Sequence, residues 1–595
     1  MRLLRLPLVF LALLGACRAG ALEPGRAPRP DWSDWGPAAF ERAAAEHKLV
    51  LLDLHAVWCH WCHVMEATTY QDPRVVRLLA QHFVVVSVDQ DARPDLSARY
   101  EDWGWPATIL FAPDGTELAK RAGYVEPGSM RELLESVLAD PTPRNQTRPE
   151  HAPRTSAAGA AADLRAALEA REAELYDEQH AGFGHGGHKY LDAASCERLL
   201  RAALAGSGQA RGRARATLQA TRALLDPVWG GIYQYSVGGD WHEPHFEKLM
   251  SFQSEALSTY ALAARVLGDT TWLEDAGSVA RYLETFLREP DGAYYASQDA
   301  DRVPGEHSAA YFALDDAARR ERGIPRVDRH VYARENGWAI RGLCALFNAG
   351  GDERVLEGAR RTAQLMLERR ALPGGGFRHD EHDPAGPYLA DTLAMAQAFL
   401  ALHESTAERV WLAHALECSE FLAANFASGA QEAGYATAAA GADSVRLGPP
   451  APQREENAAL CRLEIALLHA SGDERHRRRA ERAQAWLMRE PVALRGLPAC
   501  VLLALEELGA EPVHVTVVGS KRDPAARELY RAALAAPLAV RRLEWYDRAE
   551  GALPRADVEY PELDRAAAFV CSAGRCSAPA FEALELRTRL ARQPR

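Results

Sequence analysis

Cys59 and Cys62 lie three residues apart in Val57-Trp58-Cys59-His60-Trp61-Cys62-His63. An apolar run precedes the pair and a helical pattern follows it, so Cys59 is expected at a helix N-terminus. There the orphan N–H groups and the positive dipole end favour thiolate. Two thiols one helical turn apart can close a Cys59–Cys62 disulfide. Exchange needs both: one sulfur attacks a disulfide and the other resolves the mixed disulfide. His60 places a charge-tunable neighbour between them. The same stretch offers Cys59, Cys62, His60 and His63 as zinc ligands, or a purely structural disulfide. A CxxC beside a βαβ pattern reads first as redox, and no second ligand pair is nearby in sequence, so neither a metal nor an organic cofactor is expected.

Two further clusters lie far along the chain. Trp241, His245, Glu247 and Lys248 crowd one loop and helix start, and Asp299 and Asp301 crowd another. Acids and histidines supply proton transfer and aromatics supply flat apolar platforms, so these six are candidate substrate-binding or acid/base residues. The same residues could equally brace helices or order loops. Near the end, Cys571 and Cys576 are candidates for a small disulfide loop, or for a second thiol pair that exchanges with the first.

The elements that position these groups fall into blocks. From 32 to 140 the pattern alternates: a helix over 38–47, a strand over 49–54, a helical stretch over 59–79 broken near Asp72-Pro73, strands over 83–88, 107–111 and 117–121, and a helix beginning at Pro127. Residues 141–158 read as a linker. From 159 to 510 the chain is helical, with Gly/aromatic stretches at intervals, such as Gly230-Gly231-Ile232-Tyr233 and Gly375-Gly376-Phe377. Helical hairpins each carrying one long loop explain this spacing, and an (α/α)6 toroid would bring those loops to one end. Residues 511–595 return to mixed α/β character. The fold class is therefore multidomain: an α/β unit, an all-α toroid and a small mixed α/β segment.

Composition limits the partners. The chain has 595 residues, 69 Lys+Arg against 82 Asp+Glu and a net charge of -13, so a nucleic-acid partner is not expected. Arg2 and Arg5 precede an apolar run over 6–16 that falls short of the ~20 residues of a membrane span. That is the layout of a secretory signal. It ends Leu14-Gly15-Ala16-Cys17, which resembles a bacterial lipobox, so residues 1–17 are expected to be a signal with Cys17 lipidated, and 18–31 a tether. The expected location is exported and membrane-anchored, on the periplasmic or cell-envelope side, where paired cysteines can be oxidised. Five other cysteines are scattered singly and read as buried free thiols.

The segment 32–140 resembles thioredoxin. That resemblance implies that Asp53 is the buried acid assisting the resolving thiol Cys62, and that Pro106, in Gly104-Trp105-Pro106-Ala107-Thr108, is the cis-proline shaping the substrate groove. The strand 84–88 lacks the lysine that pairs with the acid in thioredoxins. Over nearly its whole length the chain is similar to the thioredoxin-domain family related to spermatogenesis-associated protein 20. Cys59-His60-Trp61-Cys62-His63-Val64-Met65-Glu66, Trp241 to Lys248, Ala296 to Asp301 and the terminal Cys571 and Cys576 carry this likeness. It implies a thioredoxin-like domain fused to a six-hairpin helical domain similar to sugar epimerases and glycosidases. The first expectation is a thiol–disulfide oxidoreductase acting on a protein thiol or disulfide partner. The rivals are a carbohydrate-active enzyme with an accessory thioredoxin-like domain, and a non-catalytic binding protein.

Overall fold

The computed structural model describes residues 29–144, 161–185, 187–383, 385–429, 433–439, 447–572 and 575–593. The signal, the lipobox Cys17, most of the tether and most of the 141–158 linker lie outside the described residues.

In the first unit, β1 (Leu49–His55) pairs in parallel with β2 (Phe83–Asp89) and antiparallel with β3 (Ala107–Phe111), which pairs with β4 (Glu117–Ala122). The order is β2-β1-β3-β4. The continuous apolar runs of β1 and β2 are those of strands buried on both faces. Helices Pro37–Glu46 and Pro127–Ala139 cover the two sides. The long helical stretch breaks as expected: His60–Ala67 ends before a 3-10 turn, and Asp72 then caps Pro73–His82 through the N–H groups of Arg74 and Val75.

The helical unit closes on itself. Among the described residues, inner helices Ala193–Leu204, Met250–Leu267, Ala333–Gly350, Leu389–Thr406, Arg454–Ser471 and Ala499–Leu508 each contact the next, and the last contacts the first. An outer helix backs each one. Four inner helices run into their outer partners through short turns at Gly268, Ala407, Gly351 and Gly472, all with positive φ, and Asp352 and Asp473 then cap the next helix. The long loops therefore all enter at the N-terminal ends of the inner helices. The first unit sits on that end.

The last unit has the mixed α/β character expected of it. Strand β5 (Val513–Val518), helix Pro524–Leu534, β6 (Arg541–Tyr546), β7 (Ala567–Ser572), β8 (Arg575–Cys576) and helix Ala583–Leu590 follow in order. β6 is parallel to β5, while β7 and β8 are antiparallel. The strand order β6-β5-β7-β8 and these directions repeat those of the first sheet. The chain thus carries the same arrangement twice, at opposite ends of the toroid. The second copy has Ser520-Lys521-Arg522-Asp523 where the first has its CxxC turn, and Ala566 rather than proline before β7. It packs on the short-turn end: the Lys521 ammonium donates to the Ala407 carbonyl at 2.7 Å and the Tyr530 hydroxyl to the Glu404 carbonyl at 2.6 Å.

Candidate functional site

Cys59 caps the helix His60–Ala67, and the Cys62 N–H donates to its sulfur at 3.1 Å. The two cysteines form a disulfide. Trp105 and Leu249 pack against them, and Trp105-Pro106 is cis. Both cysteines are buried, Cys59 at 4% and Cys62 at 7% exposure. Leu249 belongs to the toroid, so the sulfurs face the boundary between the two units.

Asp53 sits in β1 between Ser87 and Thr108 of the neighbouring strands. Its partner is the Tyr70 hydroxyl at 3.0 Å, in place of a lysine. Burial pushes its carboxyl up to about 7, against the opposing Tyr70 bond. A carboxyl whose folded-state pKa is raised favours the native state in acid, and that contribution is lost as pH climbs from about 4 to about 7. Asp53→Asn is expected to flatten this slope. Urea melts at pH 8 should show a gain on the order of a few kcal/mol, with little change at pH 4.

The toroid loops reach the CxxC helix through a short sheet. Lys248 and Leu249 pair with Gln298 and Ser297. Leu249 is thereby set against the sulfurs, and Asp299-Ala300-Asp301 leaves the strand end toward the helix. The Ala300 N–H donates to the Trp58 carbonyl at 3.3 Å. Asp301 meets both motif histidines, with His60 Nδ1 2.7 Å from Oδ1 and His63 Nδ1 3.1 Å from Oδ2. Burial acts against its ionisation, but these two bonds and the Gly305 N–H hold it well below the ordinary carboxylate range. Burial pushes Asp299 up to about 7. His245 stacks on Tyr235 with centroids 4.4 Å apart and lies 3.7 Å from Glu247. Its ring is 6.4 Å from that of His60.

Four of the six candidate residues of the toroid, His245, Glu247, Asp299 and Asp301, are therefore gathered at the CxxC face. The other two are elsewhere. Trp241 packs over Gly182 and donates to the His180 carbonyl at 2.7 Å. Lys248 is fully buried, bonded to Asp226 and the Gly230 carbonyl at 2.8 Å each. Its ammonium lies 4.3 Å from the Tyr282 ring centroid. It locks the Gly230-Gly231 turn, where φ is positive and a Cβ on Gly230 would meet the Ser278 carbonyl at 2.2 Å.

Other boundary contacts escaped the sequence reading. His379 Nε2 donates to the Asp91 carbonyl at 2.7 Å, and its Nδ1 meets Asp391 at 2.8 Å. The Trp58 indole donates to Asp91 at 2.6 Å. Gln453 donates to Glu101 at 2.7 Å. Behind this boundary runs an axial cavity of about 1060 Å³. Glu101 and Asp102 bound it at one end and Leu538 to Arg541 at the other. On its wall Arg462 bridges Glu197 and Glu507, and burial pushes Glu255 up to about 7. His245 and Glu247 are not part of that wall. At the far end Cys571 and Cys576 face each other across β7 and β8 and are disulfide-bonded. Of the five single cysteines, Cys196, Cys344, Cys418 and Cys461 are buried and Cys500 is half-buried.

A family profile described as Thioredox_DsbH, protein of unknown function, DUF255, matches residues 23–141. Spermatogenesis-associated protein 20 of Mus musculus is 25% identical over 411 residues, covering 62% of this chain and 49% of that protein. Residues 23–141 therefore carry a thioredoxin-like domain, and the likeness to spermatogenesis-associated protein 20 extends well beyond it. The chain spans about half the length of the mouse and rat relatives it matches. The thiol:disulfide interchange protein DsbD of Pseudomonas fluorescens is 34% identical over 82 residues, 13% of this chain and 14% of that protein. Among solved structures, cellobiose 2-epimerase from Spirochaeta thermophila aligns with a TM-score of 0.44 at 14% identity, covering 58% of this chain and 96% of the epimerase. In this chain the helical ring follows from its own helix contacts, and the thioredoxin-like unit from its sheet order and CxxC turn.

Proposed function

We propose that this protein is an exported, lipid-anchored thiol–disulfide oxidoreductase whose helical unit governs access to the sulfur pair. The observation that carries the reading is the Cys59 sulfur at a helix N-cap, receiving the Cys62 N–H at 3.1 Å beside a cis-proline. The named activity of the DsbD relative supports it. In the reducing direction, the Cys59 thiolate attacks a client disulfide, forming a mixed disulfide and releasing one client thiolate. Cys62 then gives its proton to the Asp53 carboxylate and attacks the Cys59 sulfur. The second client thiol leaves, the Cys59–Cys62 disulfide forms, and two electrons have passed to the client. The oxidising direction reverses each step. A carboxyl near pKa 7 accepts and returns a proton readily at neutral pH.

The client is a protein disulfide or a redox partner domain. It must enter where Leu249 and Ala300 now lie, so exchange requires that boundary to part. The test is trapping with Cys62→Ser: incubation with insulin should yield a stable mixed disulfide at Cys59, identified by peptide mass. Absence of any Cys59 adduct would reject the reading. Anchoring through Cys17 predicts that Cys17→Ala moves the protein from the membrane fraction to the soluble one. Among the described residues no helix is long and apolar enough to cross a membrane.

The axial cavity favours one second reading, a carbohydrate held in the toroid. Its charged wall suits a hydroxyl-rich ligand. Calorimetric titration with mono- and disaccharides decides it, since no heat of binding from any of them removes this reading and leaves the redox one intact.

A further inference from the structure

The CxxC face holds more buried negative charge than its surroundings neutralise. Glu247, Asp299 and Asp301 are 3%, 3% and 2% exposed. Among the described residues no Lys or Arg forms an ion pair with any of the three, and their only ionic partners are the imidazoles of His60, His63 and His245. Buried carboxylates without a cation are costly.

The orientation of His63 sharpens this. Its Nε2 lies 3.1 Å from the Val57 carbonyl, which can only accept, so Nε2 carries the hydrogen. Its Nδ1 then faces Asp301 Oδ2 at 3.1 Å. In the neutral ring that contact sets lone pair against lone pair, and something positive must lie between. An N–H fixed on a backbone carbonyl is the usual state of a metal-ligating histidine; here the other nitrogen is turned to the Asp301 carboxylate, and Asp299 Oδ2 lies 3.6 Å from Nε2. One ligand atom each from His63, Asp299 and Asp301 lies within 4.8 Å of the others. A separate observation points the same way. The Glu247 Oε2 is buried with no hydrogen-bond partner, and Glu247 is close enough for its charge to act on Asp299.

We propose that His63, Asp299 and Asp301, with Glu247 beside them, bind a divalent first-row transition-metal ion at the boundary between the thioredoxin-like unit and the toroid. One imidazole nitrogen with carboxylate oxygens suits Mn²⁺, Fe²⁺ or Zn²⁺ better than a soft ion. The ligands come from both units, so the ion fastens the Asp299-Asp301 loop to the CxxC helix and holds the sulfurs covered. The inference does not depend on the pair being catalytic.

The test uses the oxidised full chain, in which the CxxC sulfurs cannot ligate. After chelator treatment, Mn²⁺ is titrated in and the free ion followed by electron paramagnetic resonance, with Zn²⁺ as competitor. One Mn²⁺ per chain is expected, displaced by Zn²⁺. Asp299→Asn and Glu247→Gln should each weaken binding by about tenfold or more, while His242→Ala, on an exposed neighbour, should not. Mn²⁺ should raise the melting temperature of the wild type and of His242→Ala, and leave that of Asp299→Asn unmoved. If Asp299→Asn fails to fold, Glu247→Gln carries the comparison. Absence of binding, or equal affinity in wild type and the folded variants, overturns the site and assigns the charge between His63 and Asp301 to a proton.

Discussion

Serine at position 59 is expected to reduce disulfide exchange to the uncatalysed rate, while serine at 62 stops turnover but not attack. The asymmetry follows from position. Cys59 is the helix cap, and the Cys62 N–H already points at its sulfur. The charge that would develop on Cys59 is met by that bond and by the helix dipole, whereas Cys62 lies inside the first turn. Insulin reduction, read as turbidity with dithiothreitol as the electron source, should therefore fall by several orders of magnitude in both variants. Only Cys62→Ser should accumulate a covalent client complex. Equal trapping in the two variants would mean that the roles of the sulfurs are not divided in this way.

The largest stability effect is expected at Asp226, which does not touch the sulfurs itself. Its Oδ2 accepts from Lys248 at 2.8 Å and Arg319 at 2.7 Å, and both cations are completely buried. Its other oxygen accepts the N–H of Val228 at 2.9 Å. Asp226→Ala strips two buried cations of their shared anion. Breaking one such pair typically costs about 3–5 kcal/mol, and here two depend on one carboxylate. The lysine's strand also carries Leu249 to the sulfurs, so loosening it should uncover the CxxC face. Denaturant melts should show the loss, and a bulky maleimide should label the reduced pair faster. A change below about 1 kcal/mol would show that Lys248 and Arg319 find other partners.

The sequence was readable where the physics is local. Strands β1 to β4 appear as apolar runs between turn residues, and the CxxC turn follows from its place after β1. The toroid is visible as long loops set between helical pairs. Contacts closed across more than two hundred residues were not readable. Nothing near His60 announces Asp301, and nothing near Asp91 announces His379. The His245-Phe246-Glu247-Lys248 run shows why site assignment from residue type alone divides. His245 and Glu247 serve the CxxC face, whereas the intervening chain turns Lys248 into the core beside Asp226. The second copy of the sheet stayed hidden for a different reason. Its strand Arg541-Arg542-Leu543-Glu544-Trp545-Tyr546 is polar in sequence, because Glu544 pairs inside with Arg542 at 2.9 Å and with His514 at 2.7 Å. Buried ion pairs erase the apolar alternation by which a strand is recognised.

The duplicated arrangement also frames Cys571–Cys576. That disulfide lies on the β7–β8 hairpin, away from the turn where the first copy carries its reactive pair. A bridge between directly opposed residues of adjacent strands closes a hairpin, and its place at the far end of the toroid separates it from Cys59.

The most direct measurement is the redox equilibrium of Cys59 and Cys62 in the intact chain, poised in glutathione buffers and read by mass after alkylation. A reactive pair of this kind should titrate as one two-electron couple within the range of about −270 to −120 mV spanned by thioredoxin-like proteins, with Cys571–Cys576 staying oxidised throughout. A Cys59–Cys62 bond that remains closed at every poise, or thiols that never re-form it, would contradict the account.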